Sequence, residues 1–414
     1  MRTKARIMPQ FLPFRGVRYD PNRVEISRVL CPPYDVIKGA AREQLLARDP
    51  HNFVAIELAA RYGEAASDAD YQKCAHLLKS WRDEGIFTRD DSAFYVYEQE
   101  FLHPQTGQFL RRRGVLGALT LEEFGQGVLP HENTLSGPKI DRLKMLRALR
   151  ANTSPIFGVS SDDDGWIHAL ITDIVFSPPH VEARDDDGIT HRLWVVTDDE
   201  TVNGLVAAFE NEQILIADGH HRYETALQFW RENGEKPDAS SSVMMFCASS
   251  QDSGLVVLPT HRVVLGRDAV QIAALPEVLA ANFEVEKLES LPELDEAAPR
   301  AQIGLLLPDG NYRLTPRATN QTALDVEILH REILENELGI GAAQLAGGAF
   351  VKYTIHAPEA QNLVQSGAAQ AAFLLRATPV SQIQNAASAG RKMPQKSTYF
   401  YPKLITGMVL RHLD

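Results

Sequence analysis

The chain of 414 residues lacks the features that would assign it to a specialised class. It has three cysteines, Cys31, Cys74 and Cys247, far apart and in no metal-ligand spacing, which argues against both a disulfide scaffold and a zinc ribbon. Cys74 falls on the apolar face of a predicted helix and Cys247 in a predicted strand, so both are expected as inert core thiols. Cys31, just ahead of Pro32-Pro33, is the one open to exposure. No run approaches the ~20 consecutive apolar residues that span a bilayer. Residues 1–9 are basic but have no apolar core of the kind a signal peptide needs, so a cytoplasmic protein is expected. Positive charge is in deficit, with 42 Lys+Arg against 54 Asp+Glu and a net charge of −12. A nucleic-acid binder needs a basic excess on at least one face. The densest basic cluster, Arg111-Arg112-Arg113, lies inside a predicted strand, and nucleic acid is not an expected partner. Internal repeats and low-complexity segments are absent as well.

What is present is ordinary globular composition, 44% hydrophobic and 23% charged, at a length suited to two or three domains. Strand and helix patterns alternate along the chain, which predicts α/β or α+β layers. The first segment is punctuated by proline and reaches Pro32-Pro33-Tyr34-Asp35, a rigid bend that reads as a domain lead-in or a site wall. A helix is predicted over 38–49 and a strand over 52–58. A clear amphipathic helix follows over 69–84, with Gly85 just past its end. Strands over 93–102 and 109–121 form a hairpin. Residues 128–139 read as a turn-rich loop, followed by a basic helix over 139–150. Pro138 suits its first turn, and Arg142, Lys144, Arg147 and Arg150 read as its solvated face. Asp185-Asp186-Asp187-Gly188 lacks the alternating ligands of a calcium loop and is read as a hairpin turn. Further strands and helices run to residue 389, including a helix over 324–338. Gly339-Ile340-Gly341 lacks the third glycine and preceding strand of a dinucleotide loop.

Three stretches carry chemistry. The apolar run 214–217 stops at Asp218-Gly219, and His220-His221-Arg222 opens a helix pattern. Strand, glycine turn and helix start concentrate backbone N–H groups and cationic side chains on one small volume, which suits an anion such as phosphate. His131-Glu132 in the turn-rich loop is an acid/base candidate. The tail 390–403 is rich in groups that hold anions, with Lys396, Ser397 and Thr398 crowded by aromatics. His261-Arg262 interrupts a strand and reads as cationic lining or a satisfied strand edge.

Pro32-Pro33-Tyr34-Asp35-Val36, Ala217-Asp218-Gly219-His220-His221-Arg222 and Met393-Pro394-Gln395-Lys396-Ser397-Thr398, in that order, resemble the DUF1015 family of bacteria and archaea. The second half also resembles the ADP-dependent free serine kinases. In those enzymes a His-Glu loop, an Asp-Gly-His-His-Arg turn and a Pro-Lys-Thr-Thr-like segment occur in the same order. The resemblance implies an α+β fold: a ParB/sulfiredoxin-like nucleotide-binding core over 126–267. To it are added an N-terminal α/β segment over 1–125 and a C-terminal α/β domain over 268–414 that closes the site. It implies a phosphotransferase moving phosphate between ADP or ATP, with Mg2+, and free L-serine or O-phosphoserine. Glu132 would be the base on the substrate hydroxyl and Asp218 a catalytic or magnesium-associated carboxylate. Gly219, His220, His221 and Arg222 would hold phosphates. His131, Lys396, Ser397 and Thr398 would hold the substrate, and no side-chain metal cage is implied. Gln395 stands between Pro394 and Lys396, a departure from the kinase pattern, and the segment to about residue 125 has no counterpart in the compact kinases. The three stretches are expected to wall one pocket.

Three other classes can be set against the same residues. A ParB-like nucleotide switch that binds a partner or DNA conflicts with the acidic charge and the lack of a helix-turn-helix. Sulfiredoxin-like repair lacks its nucleophile, because position 220 is histidine. A zinc hydrolase on His220-His221 fails because adjacent histidines at a helix start diverge by ~100° and no third ligand has a motif spacing.

Overall fold

A sixteen-residue strand, Phe87–Leu102, and its hairpin partner Phe109–Thr120 form the axis on which the larger half of the chain is assembled. The structure is a computed structural model and describes residues 8–132, 136–317 and 323–414. The basic lead-in 1–7 and residues 133–135 of the turn-rich loop lie outside the described residues. The chain divides into two compact units. The described part of the first comprises residues 8–130, 136–256 and 402–414, and that of the second 131–132, 257–317 and 323–401.

In the first unit the described residues form a twelve-stranded mixed sheet. Beyond Phe109–Thr120 come Ser242–Ser249, Ile156–Ser160, Ile214–Asp218 and Val128–Leu129. The other edge of Phe87–Leu102 is long enough for two partners. Phe14–Tyr19 pairs with its first half and Thr190–Val196 with its second. Its segment from Ala93 to Phe94, Tyr95, Val96 and Tyr97 is buried throughout, so side chains of both faces are covered. One cluster joins Phe94, Val96, Val115 and Ile216 to Ile171, Phe209 and Tyr223 of three helices. Another joins Val17, Tyr19 and Phe87 to Tyr71, Cys74, Leu78 and Trp81 of the helix Asp68–Asp83, as its apolar stripe predicts. Ser67 and Asp70 close the start of that helix with a capping box, and Gly85 lies beyond its end at φ 72°.

Two expectations are corrected, and the exposure of Cys31 is decided. The strand expected over 52–58 is the helix Val54–Glu57. Asn52 overrides the β-branched residues there, its Oδ1 accepting from the Val54 amide at 3.1 Å while its amide donates to the Arg28 and Leu30 carbonyls. Cys31, left open to exposure, is fully buried as a structural thiol, held in a backbone bridge to Thr406, and burial drives its thiol pKa well up. Arg142 is not solvated but lies inside. Arg112 is buried too, donating to the Pro402 carbonyl at 2.5 Å and to Gln99, with its guanidinium 4.6 Å from the Phe157 ring centroid. Its neighbours Arg111 and Arg113 pair with Glu100 and Glu98, so two charges of the basic triplet are answered by carboxylates of the adjacent strand.

The second unit contains a six-stranded antiparallel sheet in the order Phe283–Leu288, Gly310–Pro316, Ile303–Leu307, Ala371–Leu374, His261–Val264 and Val351–Thr354. The helix Ala357–Gln365 packs Ala360 and Val364 onto Val263, Leu306 and Ala372. The helix predicted over 324–338 begins as Asp325–Ile328 and widens into a π-helix, Leu329–Glu335, a form common at functional positions. The fold is α+β in both units. No described helix is long and apolar enough to cross a membrane.

Candidate functional site

The first unit builds the Asp-Gly-His-His-Arg turn. The buried strand Ile214–Asp218 ends at Gly219, and the helix His220–Glu232 starts immediately after it. Gly219 sits at φ 96°, where side chains are strained, and a Cβ there would lie 2.9 Å from Nη2 of Arg222. The Arg222 guanidinium therefore folds back over the turn. It donates to Asp218 Oδ2 at 2.6 Å and to the Pro155 carbonyl at 2.5 Å, while its Nε is buried with no hydrogen-bond partner among the described residues. The other oxygen of Asp218 accepts from Lys403. One carboxylate thus bridges two cations at a helix N-terminus. His220 is buried and His221 half-buried on the first turn of the helix, with the His221 carbonyl capped by Thr225 Oγ1 at 2.6 Å.

A second layer in the same unit stands behind the turn. Tyr34, fixed by Pro32-Pro33, places its ring 4.1 Å from the Arg142 guanidinium. Burial pushes the Tyr34 hydroxyl up to about 12 against the opposing pull of Arg222 and Arg142, so the Pro-Pro-Tyr-Asp bend lies in the field of the turn. Arg142 donates to the Glu57 carbonyl at 3.3 Å and pairs with the Glu57 carboxylate at 3.5 Å and with Asp141 at 2.6 Å. Burial raises the Glu57 carboxyl, opposed by Arg142, by the Thr153 and Ser154 hydroxyls and by Arg222.

The second unit brings His131-Glu132 and the tail together. The Met393 amide donates to the His131 carbonyl at 2.7 Å, and Glu132 forms a parallel bridge with Met393. Two short pieces of chain far apart in sequence are thereby set side by side. His131 is fully buried, with Nε2 2.8 Å from Thr398 Oγ1. Glu132 Oε1 accepts from the Ser397 amide at 3.1 Å and from Thr398 Oγ1 at 3.4 Å. Lys396 lies at φ 56°, and its carbonyl accepts from Arg262 Nη2 at 3.0 Å. Arg262 is fully buried. It also donates to the Thr260 carbonyl and, at 3.2 Å, to His330 Nε2 on the π-helix. Burial lowers its guanidinium to about 10, with Tyr353 and Glu132 pulling the other way. Burial and the neighbouring Arg262 press His330 down to about 3, so that ring stays a neutral acceptor.

Every candidate residue is therefore located. Asp218, Gly219, His220, His221 and Arg222 are one group in the first unit. His131, Glu132, Ser397 and Thr398 are in direct contact in the second, with Lys396 held by its backbone. Lys403 and Arg142 were not legible as partners of the turn, and Arg262 was legible as cationic lining or a satisfied strand edge but not as the partner of the Lys396 carbonyl. Their signal is weak because each is a single cation in an unremarkable context. Among the described residues no three His, Cys, Asp or Glu side chains are grouped to hold a metal.

Comparison with solved structures finds weak likenesses. A conserved hypothetical protein from Pyrococcus furiosus is 14% identical, over 71% of this chain and 94% of that one, with a TM-score of 0.37. A free serine kinase in complex with AMP is 12% identical, over 71% and 92%, with a TM-score of 0.38. SbnI with a C-terminal truncation, from Staphylococcus aureus, is 12% identical, over 70% and 84%, with a TM-score of 0.34. Likenesses at these TM-scores identify neither fold nor activity. No curated protein matches the chain. The family model DUF1015, described as a protein of unknown function, matches residues 11–330, and the chain belongs to that family.

Proposed function

We propose that this protein is a phosphotransferase of serine metabolism. It moves phosphate between an adenine nucleotide and free L-serine or O-phosphoserine in either direction, hydrolysis of phosphoserine included. The observation that carries the reading is Glu132. Its carboxylate is oriented by the Ser397 amide and the Thr398 hydroxyl, beside buried His131, and so is prepared to take a proton from a hydroxyl. Sequence similarity of the same residues to the free serine kinases supports the choice of serine. The reading takes the nucleotide-binding core to be ParB/sulfiredoxin-like.

Phosphoryl transfer asks the protein mainly for positioning and for neutralisation of charge on the transferring group. The helix start at His220, the side chains of His220 and His221, and Arg222 supply the second on this reading. Asp218 keeps Arg222 and Lys403 in place, each cation taking one of its oxygens. With both oxygens so engaged, Asp218 suits an organiser of cations better than a metal ligand. Mg2+ accordingly enters as part of the nucleotide substrate, carried on its phosphates. Lys396, Ser397 and Thr398 hold the phospho-amino-acid end.

The test is phosphate movement in purified protein with Mg2+, L-serine and ADP or ATP, and in the reverse direction with O-phosphoserine and AMP or ADP. Turnover that is lost in Glu132→Ala and Asp218→Ala, with nucleotide binding retained in the first, is the expected result. No movement in any combination overturns the reading.

A further inference from the structure

Thr398 carries more than a binding hydroxyl needs. Its Oγ1 lies 2.8 Å from Nε2 of a fully buried histidine, and the Glu132 carboxylate is 3.4 Å away on the same hydroxyl. A weak oxygen nucleophile with a histidine in hydrogen-bond reach is the arrangement that activates hydroxyls for covalent catalysis. The backbone presenting it is constrained in two independent ways. Lys396, two residues earlier, is held at φ 56°, a conformation a side chain resists, and its carbonyl is pinned by the buried Arg262. Ser397 is tied on both sides, its amide to Glu132 and its hydroxyl to the Pro394 carbonyl. Thr398 itself is half-buried, so it remains within reach of a small reactant while its partner His131 does not. Thr398 and His131 stand in the second unit, and their contact is independent of the Asp-Gly-His-His-Arg turn.

We propose that Thr398 is a covalent phosphate acceptor and that turnover passes through a phosphothreonine. In the first step Thr398 Oγ1 attacks the phosphorus of a phosphomonoester or phosphoanhydride. The Oγ1–P bond forms, the bond from phosphorus to the donor's bridging oxygen breaks, and the hydroxyl, turned from Glu132 to His131 in the tautomer that leaves Nε2 bare, gives its proton to Nε2. His131 holds that proton, and the departing oxygen leaves as an anion or takes a proton from water. In the second step an alcohol or water attacks the same phosphorus, giving its proton to Glu132. The Oγ1–P bond breaks, the threonine oxygen takes its proton back from His131, Glu132 releases its proton to water, and all three side chains are regenerated. No redox change occurs, and the only co-reactants are the phosphate donor and the hydroxyl acceptor. The inference rests on the reading that the His131-Glu132 site handles phosphate. It does not depend on serine being the acceptor or on adenine being the base of the donor.

The experiment is intact-mass analysis of the acid-quenched full chain after incubation with Mg2+ and, separately, acetyl phosphate, O-phosphoserine, ADP and ATP. Wild type and Glu132→Gln are compared, with the site read by fragmentation. The expected result is one added phosphoryl group on Thr398 with at least one donor. It persists longer in Glu132→Gln, where the second step loses its base, and is absent in Thr398→Val. Thr398→Ser keeps the hydroxyl and the fold, and is expected to be labelled at residue 398 with turnover within about tenfold of wild type. Thr398→Val is expected to lose about a hundredfold or more. Absence of phosphoprotein from both wild type and Glu132→Gln with every donor overturns the inference, as does a label mapping elsewhere or a Thr398→Val variant that turns over like wild type. Phosphate transfer to serine without a phosphoprotein would sink this inference and leave the proposed function standing. A phosphoprotein without any serine or nucleotide turnover would do the reverse.

Discussion

Arg262 donates from Nη2 to the backbone carbonyl of Lys396 at 3.0 Å, and Lys396 is one of four non-glycine residues at positive φ among the described residues. A left-handed side-chain-bearing residue costs on the order of 1 kcal/mol, and it persists only where its surroundings over-determine it. Here the over-determination is a buried guanidinium that is itself fixed by the Thr260 carbonyl and by His330 Nε2. Arg262→Met is expected to lower unfolding stability by about 3 kcal/mol, since a hydrogen-bonded buried charge and the groups it serves are lost together. It should also release the Ser397 amide to hydrogen exchange. Lys396→Gly, which accepts the same φ without strain, is expected to hold stability within about 1 kcal/mol of wild type. Equal damage from both substitutions would refute the pinning.

Glu132 is the group on which the proton chemistry turns. Glu132→Gln preserves the shape and keeps an acceptor for Ser397 but removes the base. Turnover is expected to fall by about 10²–10⁴-fold with little change in nucleotide affinity. Measuring kcat and Kd on one preparation checks this. A matching loss of affinity would mean that the residue binds rather than catalyses.

Gly219 tests the fit of the turn. Gly219→Ala combines a forbidden backbone angle with a contact at 2.9 Å to Arg222, so it should cost more than about 1 kcal/mol and displace the guanidinium. Gly125 is a control at φ 98°, where a Cβ would meet nothing within 4 Å. Gly125→Ala should show the backbone cost alone and leave phosphate-ligand affinity untouched. Comparable affinity losses in the two variants would argue against any role for the close approach of Arg222.

His330 makes stability depend on pH. Its folded value, about 3, lies below its ordinary 6.5 because of burial and Arg262. The unfolded chain therefore binds the extra proton across that interval. The contribution is full above about pH 6.5 and is lost as the pH falls toward 3. A pKa difference of one between folded and unfolded chain is worth about 1.4 kcal/mol, so the loss by pH 4 is of order a few kcal/mol. His330→Gln keeps an acceptor for Arg262 and should flatten the fall of the urea midpoint between pH 6.5 and 4. An unchanged slope would sink the assignment.

Much of this protein is legible along the chain, wherever short-range rules decide. The stripe of Tyr71, Cys74, Leu78 and Trp81 predicts its helix, the hairpins around 103–108 and 308–310 follow from turn residues, and Asp218-Gly219 announces a strand-to-helix turn. The period of a side-chain pattern and the φ preference of glycine are local properties, so one segment suffices to read them. The failures lie where a distant residue changes what a local one means. Arg142 looks like a solvated helix charge until Tyr34 and Glu57 enclose it, and Asn52 turns an apolar run from strand to helix.

The same division holds at the Asp-Gly-His-His-Arg turn. That residues 218–222 gather amides and cations at a helix start follows from strand, glycine and helix in succession, and so is dictated by the order of residues alone. That the Asp218 carboxylate is shared between Arg222 and Lys403, the lysine 185 positions away, depends on the folded chain. So does the stand of Thr398 against His131, 267 positions away. Those pairings depend on which strands and loops are neighbours, which is settled by burying the whole core at once and is written in no single stretch of chain.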